Sequence, residues 1–207
     1  MESALREGGR QAGLKLIETM LWDGIAFPRL PLHLARQALG AAALGWEVPQ
    51  VRVRSALAGL EDAPLRVRMT LDADGHVGVE TGPLPQVKDV WRLGLAGERL
   101  ASGDPWLTVK TTNRGIYDTA RSVLPKGLDE VVFLNELGEV CDGTITTIFF
   151  DRGQGIRTPP LSSGLLPGVL RAEMGCSEEV LMGEELSSMR LWVGNALRGL
   201  IPAVWAG

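Results

Sequence analysis

Between Leu14 and Gly45 the chain switches from strand-like to helix-like patterning, so the fold has to combine both elements in one compact core. Residues 14–22, Leu-Lys-Leu-Ile-Glu-Thr-Met-Leu-Trp, read as a strand that stops at the turn dipeptide Asp23-Gly24. His33–Leu44 carries apolar residues at helical spacing, is rich in Ala and Leu, and ends at Gly45, a natural helix stop. A second helix is expected over Val48–Leu60. Leu65–Leu71 and His76–Thr81 then form a hairpin joined by Asp-Ala-Asp-Gly. This first half therefore mixes helices with mostly antiparallel strands.

The pattern breaks at Leu100–Pro105, where Ala-Ser-Gly-Asp-Pro predicts a linker over 101–105. It would join an N-terminal domain, 1–100, to a C-terminal one, 106–207. Thr111–Val123 reads as a helix, and Val131–Asn135 and Thr144–Asp151 as strands. Thr158-Pro159-Pro160 closes the strand region. Pro167-Gly168 opens a helix to about Met174, with proline at a favoured first position. Leu191–Val193 is a last strand, leading into Gly194-Asn195-Ala196-Leu197-Arg198-Gly199. No internal repeat is present.

Several function classes are excluded by composition. Hydrophobic residues are 45% and charged residues 22% of 207, which supplies a core without a disulfide or a metal staple. Net charge is −4 and the basic run Val51–Arg54 is short, so nucleic acid is not an expected partner and a small molecule is. Cys141 and Cys176 are isolated from each other and from histidine, which suits reduced thiols and a cytoplasmic location. Met1–Gln11 carries Glu2, Arg6, Glu7 and Arg10, unlike a signal peptide. No segment approaches the roughly 20 apolar residues of a membrane span.

Lysine is scarce. Only Lys15, Lys88, Lys110 and Lys126 occur, while arginine is abundant, and lysine alone of the two condenses with a carbonyl. Lys110 follows the apolar run Trp106-Leu107-Thr108-Val109. Burial there would lower its pKa and free a neutral amine, although a strand-edge lysine with its stem laid over apolar neighbours fits the local sequence better.

Wider context decides between the two. Lys-Thr-Thr-Asn-Arg at 110–114 is followed by Asn-Glu-Leu-Gly-Glu-Val-Cys-Asp-Gly-Thr-Ile-Thr-Thr-Ile-Phe at 135–149. Thr-Pro-Pro-Leu-Ser-Ser-Gly-Leu-Leu-Pro-Gly-Val-Leu-Arg at 158–171 and Val-Gly-Asn-Ala-Leu-Arg-Gly-Leu-Ile-Pro at 193–202 complete the series. Together with Leu-Ile-Glu-Thr-Met at 16–20 and His-Leu-Ala-Arg at 33–36, this order resembles the class-IV aminotransferases, the fold-type-IV pyridoxal-phosphate (PLP) enzymes, over nearly the whole chain. The last segments are most similar to the aminodeoxychorismate lyase branch. The family's acidic, Gly-rich lead before Glu-Thr is shortened here.

The resemblance implies an α+β fold of two domains, a small N-terminal one and a larger C-terminal one, with PLP in the cleft between them, in a homodimer. It implies that Lys110 carries the cofactor and acts as the catalytic base. Arg36, Thr146, Thr147, Val169, Leu170 and Asn195 would hold its phosphate, the helix start at 167–170 through free N–H groups. Asp142 would pair with the pyridine nitrogen, where the family usually has glutamate, and Thr147 stands where it usually has asparagine. Thr19, Arg114 and Arg198 would contact substrate. The implied reaction is conversion of 4-amino-4-deoxychorismate to 4-aminobenzoate and pyruvate. The alternatives are a branched-chain or D-amino-acid transaminase and a non-catalytic relative, the latter suggested by Asp142. His33 is expected to cap its helix, His76 to sit in a turn and Tyr117 to pack.

Overall fold

The computed structural model describes residues 2–207, so Met1, part of the N-terminal stretch read above, lies outside the described residues. The chain forms two compact units. The first runs to Gln86 and takes in Val109–Asn113; the second comprises Val87–Thr108 and Arg114–Gly207.

In the first unit, α1 (Glu2–Gly8) precedes β1 (Leu16–Trp22), α2 (Leu30–Leu44), α3 (Gln50–Ala56), β2 (Leu65–Leu71) and β3 (Val77–Gly82). The strands form an antiparallel sheet in the order β1-β2-β3, with Leu16 opposite Leu71 and Thr19 opposite Arg68. Strand alternation sends Met20, Val67 and Met69 into one core with Val53 and Leu57 of the helical layer. Proline just inside α2 and a left-handed Gly45 at its end bracket that helix. It lies close on β1: a Cβ on Gly40 would come within 2.9 Å of Leu16 Cδ2. The helix expected over Val48–Leu60 is shorter, because Pro49 precedes it and Leu57 leaves helical geometry.

Val109–Asn113 runs beside β1 as an added edge. Ile17 N–H donates to the Lys110 carbonyl (2.8 Å), Thr112 N–H to the Lys15 carbonyl (2.9 Å), and Leu16 bridges Thr111. These bonds pull Thr111 out of the helix expected to start there, and α4 begins only at Gly115 (Gly115–Ser122).

The second unit is built on β4 (Trp91–Leu100), β5 (Glu130–Asn135), β6 (Val140–Gly143), β7 (Thr147–Asp151), β8 (Arg157–Thr158), β9 (Ser177–Glu178), β10 (Arg190–Asn195) and β11 (Gly199–Trp205), with α5 (Val169–Met174). The sheet order is β10-β11-β4-β5-β6-β7-β8-β9, and β10 also pairs with β7, so the strands from β10 round to β7 close on themselves. Alternate residues of β5 feed two cores. Val132 and Leu134 join Trp91, Leu93, Ile148 and Phe150, whereas Val131 and Phe133 join Ala120, Cys141 and Leu165. The units do not part at 101–105 as expected. Strand β4 lies parallel to both β5 and β11, which binds residues 91–100 to the second unit.

Candidate functional site

Glu18 dominates the first unit's chemistry. A carboxylate in the apolar strand Leu-Ile-Glu-Thr-Met must be paired if it is buried, and Glu18 is only 2% exposed. Its Oε1 accepts from Arg36 Nε (2.9 Å), and its Oε2 from Arg36 Nη2 (2.6 Å) and His33 Nδ1 (2.6 Å). His33 and Arg36 lie three apart on α2 and so share the face turned to β1. Burial raises the Glu18 carboxyl, but the Arg36 guanidinium and His33 outweigh it and leave the group below its ordinary range. The network holds the Arg36 fork in one orientation, as an anion-binding arginine needs. His33 does not cap its helix as expected; its ring is consumed by Glu18, and its buried Nε2 has no hydrogen-bond partner among the described residues.

Lys110 is half-buried, with its backbone fixed against β1 by the Ile17 bond. Thr19 is half-buried on β1, opposite Arg68. His76 takes the expected turn role: its N–H donates to Asp72 Oδ1 (2.9 Å) in the β2–β3 connection.

In the second unit, most of the remaining residues converge on the turn 144–147 between β6 and β7. Arg114 Nη2 donates to the Thr144 carbonyl (2.8 Å) and its Nε to Asp118 Oδ1 (2.8 Å). Asn195 Nδ2 donates to the Ile145 carbonyl (3.1 Å), while its Oδ1 accepts from Leu197 and Arg198 N–H and shapes the β10–β11 turn. Glu130, fully buried, accepts from Thr144 Oγ1 (2.5 Å), Thr146 Oγ1 (3.0 Å) and Ile145 N–H (3.2 Å). The Thr146 hydroxyl has one proton and gives it to Glu130, so the residue has its backbone left to offer an anion.

Thr147 differs. Gly168 caps α5, and a Cβ there would lie 2.5 Å from Thr147 Oγ1, so hydroxyl and helix start share one small concavity. The first N–H groups of α5, at Val169 and Leu170, have no intrahelical acceptor. Hydroxyl, free amides and a missing Cβ make a cradle suited to phosphate, and the residues present therefore fit the cofactor's phosphate end. Pro167 stands one residue before the cap rather than inside the helix, because Gly168 is extended (φ −65°, ψ 140°).

Asp142 pairs with Thr147 across β6 and β7, and is 6% exposed. Its Oδ1 accepts from the Tyr117 hydroxyl (3.2 Å) and its Oδ2 from Leu166 N–H (3.2 Å). A buried carboxylate beside the cradle is the group a protonated pyridine nitrogen needs. Tyr117 packs edge-on against Phe133, as expected, and also binds Asp142. Burial, then the Asp142 charge, pushes its phenol well above the ordinary range. Arg198 lies over the Trp91 ring, with a buried Nε that has no hydrogen-bond partner among the described residues. Burial and then Arg121 lower its pKa. Both cysteines are free, and the Cys141 thiol is pushed up by burial.

Sequence reasoning passed over Glu18 and Glu130. For Glu18 the available signal was a carboxylate set inside a run of apolar strand residues, which burial turns into a fixed acceptor; Glu130 follows Asp129 at the start of β5 and carries no such signal.

The sequence matches the class IV amino-transferase family over residues 15–204. A Schizosaccharomyces pombe protein provisionally named aminodeoxychorismate lyase is 31% identical over 169 residues, which cover 77% of this chain and 72% of that protein. A crystal structure from Mesorhizobium loti, provisionally named an amino-acid aminotransferase, is 42% identical, with a TM-score of 0.87 over 93% of this chain and 100% of the other. The 4-amino-4-deoxychorismate lyase of Pseudomonas aeruginosa shares the fold, with a TM-score of 0.78 at 21% identity over 92% of this chain and 82% of the other.

Proposed function

Since the chain belongs to the class-IV aminotransferase family of PLP-dependent enzymes, we propose that it is a lyase converting 4-amino-4-deoxychorismate to 4-aminobenzoate and pyruvate. The cofactor reading rests on one observation above the others: the cradle of Thr147, Gly168 and the α5 amides beside the buried Asp142. The choice of lyase is supported by Lys110-x-x-Asn113-Arg114 and by likeness to the S. pombe protein of that provisional name.

Each residue then has a task. Thr147, the backbone at Thr146 and the amides of Val169 and Leu170 hold the phosphate, with Asn195 fixing their turn. Arg36, whose guanidinium is oriented by Glu18, is the proposed phosphate-binding arginine of the first unit, as the family resemblance implies. Asp142 keeps a negative charge at the pyridine nitrogen, and Tyr117 and Leu166 N–H hold both of its oxygens. Bound PLP supplies an electron sink for the carbon that bears the substrate amine. The Lys110 amine would attach the cofactor and, once the substrate amine had displaced it, would take the proton from that carbon. Cleavage of the C–O bond to the enolpyruvyl side chain would then leave an aromatic ring, which drives the step, and the enolpyruvate released would take a proton at its methylene carbon to become pyruvate. Thr19, Arg114 and Arg198 are the proposed substrate contacts, the arginines for its carboxylates. The same reading places the enzyme in the cytoplasm as a homodimer.

A second reading, an amino-acid transaminase, is favoured by the 42% identity to the M. loti protein. Incubating the purified protein with aminodeoxychorismate, and separately with a panel of amino acids and a ketoacid acceptor, separates the two. The lyase releases 4-aminobenzoate and pyruvate, and Lys110→Ala releases neither. Ketoacid formation from the panel without 4-aminobenzoate would transfer the assignment to the transaminase.

A further inference from the structure

We infer that Glu130 is a positioning residue for the phosphate end of the cofactor, acting through the 144–147 turn that it holds from beneath. The inference rests on the PLP reading above and names a residue that sequence resemblance did not single out.

A carboxylate near a phosphate is at first sight misplaced, since like charges repel. Its surroundings resolve this. Glu130 is fully buried at the start of β5, and both of its oxygens are used within the unit. Oε1 accepts from Thr144 Oγ1 (2.5 Å), from Val131 N–H (3.2 Å) and, more distantly, from Arg121 Nη1 (3.4 Å). Oε2 accepts from Ile145 N–H (3.2 Å) and Thr146 Oγ1 (3.0 Å). Its charge is thus spread over five donors, one of them cationic. The site is built tightly around it: a Cβ on Gly143 would lie 2.7 Å from Glu130 Cγ and 2.6 Å from Thr146 Oγ1.

Three successive residues of the turn, Thr144, Ile145 and Thr146, therefore answer to one side chain. With the Thr144 and Thr146 hydroxyls drawn toward Glu130, neither competes with Thr147 Oγ1, which is left at the α5 start. Arg114 and Asn195 hold the same turn by its carbonyls, at Thr144 and Ile145, and Gly143 N–H holds it at the Thr146 carbonyl (2.8 Å), so Glu130 is a side-chain acceptor opposing these donors. Removing its charge releases the donor groups of the turn and lets the carbonyl bonds dominate, which shifts the Thr147 hydroxyl and the backbone at Thr146 relative to Gly168.

The test compares PLP with pyridoxal, which lacks only the phosphate, by absorbance titration of purified Glu130→Gln and wild-type protein, with thermal melting of each. The expected result is that Glu130→Gln weakens PLP binding about tenfold or more and leaves pyridoxal binding within about twofold. Thr144→Val, which removes one held hydroxyl, moves PLP affinity the same way by less and serves if Glu130→Gln does not fold. Equal loss of PLP and pyridoxal, or unchanged PLP affinity in both variants, overturns the inference. A wild-type protein that binds neither compound removes the PLP reading itself, which is a different failure.

Discussion

Replacing Glu18 by glutamine leaves the shape of the side chain and removes the charge that the Arg36 guanidinium and the His33 ring surround. Glu18 is 2% exposed and the Arg36 side chain 12%, so water does little to screen their pair. Removing one partner of such a buried pair costs about 3–5 kcal/mol, because the other charge is left uncompensated. Glutamine also turns one acceptor oxygen into a donor that faces Arg36 or His33, while its remaining oxygen keeps part of the interaction, so the lower end, about 3 kcal/mol, applies. For a chain of this length that is a fall in melting temperature of about 6–12 °C. Proton linkage gives a second signature. The Glu18 carboxyl lies below its ordinary range when folded, so its contribution is complete above about pH 4.3, the unfolded value, and is lost as pH falls through the folded value. Melting curves of wild type and Glu18→Gln should differ by a constant amount near neutrality and converge in acid. A variant melting within about 1 °C of wild type at pH 7, or a gap that widens in acid, would refute this account of the network.

Tyr117 is the only tyrosine in the chain, so tyrosinate absorbance reports on it alone. Its raised pKa means that the protonated form stabilises the fold below about pH 10, the unfolded value, and that this support fades as pH rises further. Tyrosinate should therefore appear only together with loss of structure by circular dichroism; its appearance in folded protein near pH 10 would contradict the burial described. Gly168→Ala drives a Cβ to 2.5 Å from Thr147 Oγ1 and should cost about 1–3 kcal/mol in urea unfolding. Adding Thr147→Ala should restore stability but not PLP affinity, and recovery of both would remove the Thr147 hydroxyl from the cradle.

Much of the fold was legible because it is local. The run that became β1, the Ala-rich helix stopped by Gly45, and the hairpin over Asp-Ala-Asp-Gly each carry their signal within a few residues. What escaped depends on distant partners. Strand β4 contains Gly94 and Gly97 and gains its place from parallel pairing with β5 and β11, so no local pattern announces it. Thr111 favours helix by context and is claimed by Leu16, almost a hundred residues away in sequence. Among the site residues, Asp142, Thr147 and the α5 start are brought together by strand pairing and by the close approach at Gly168. Arg114 was read as a substrate contact; its Nε and Nη2 are given to Asp118 and Thr144, a use no local pattern announces. Glu18 and Glu130 stayed hidden because a charged residue in a strand looks exposed until its partners are known.

The central claim is that the amine of Lys110 is the cofactor's attachment point, and borohydride reduction of the PLP-loaded protein followed by peptide mass spectrometry tests it most directly. The account predicts a pyridoxyl group on the peptide containing Lys110 and none after Lys110→Ala. A stable adduct confined to Lys15, Lys88 or Lys126, or no reducible adduct at all, would contradict it.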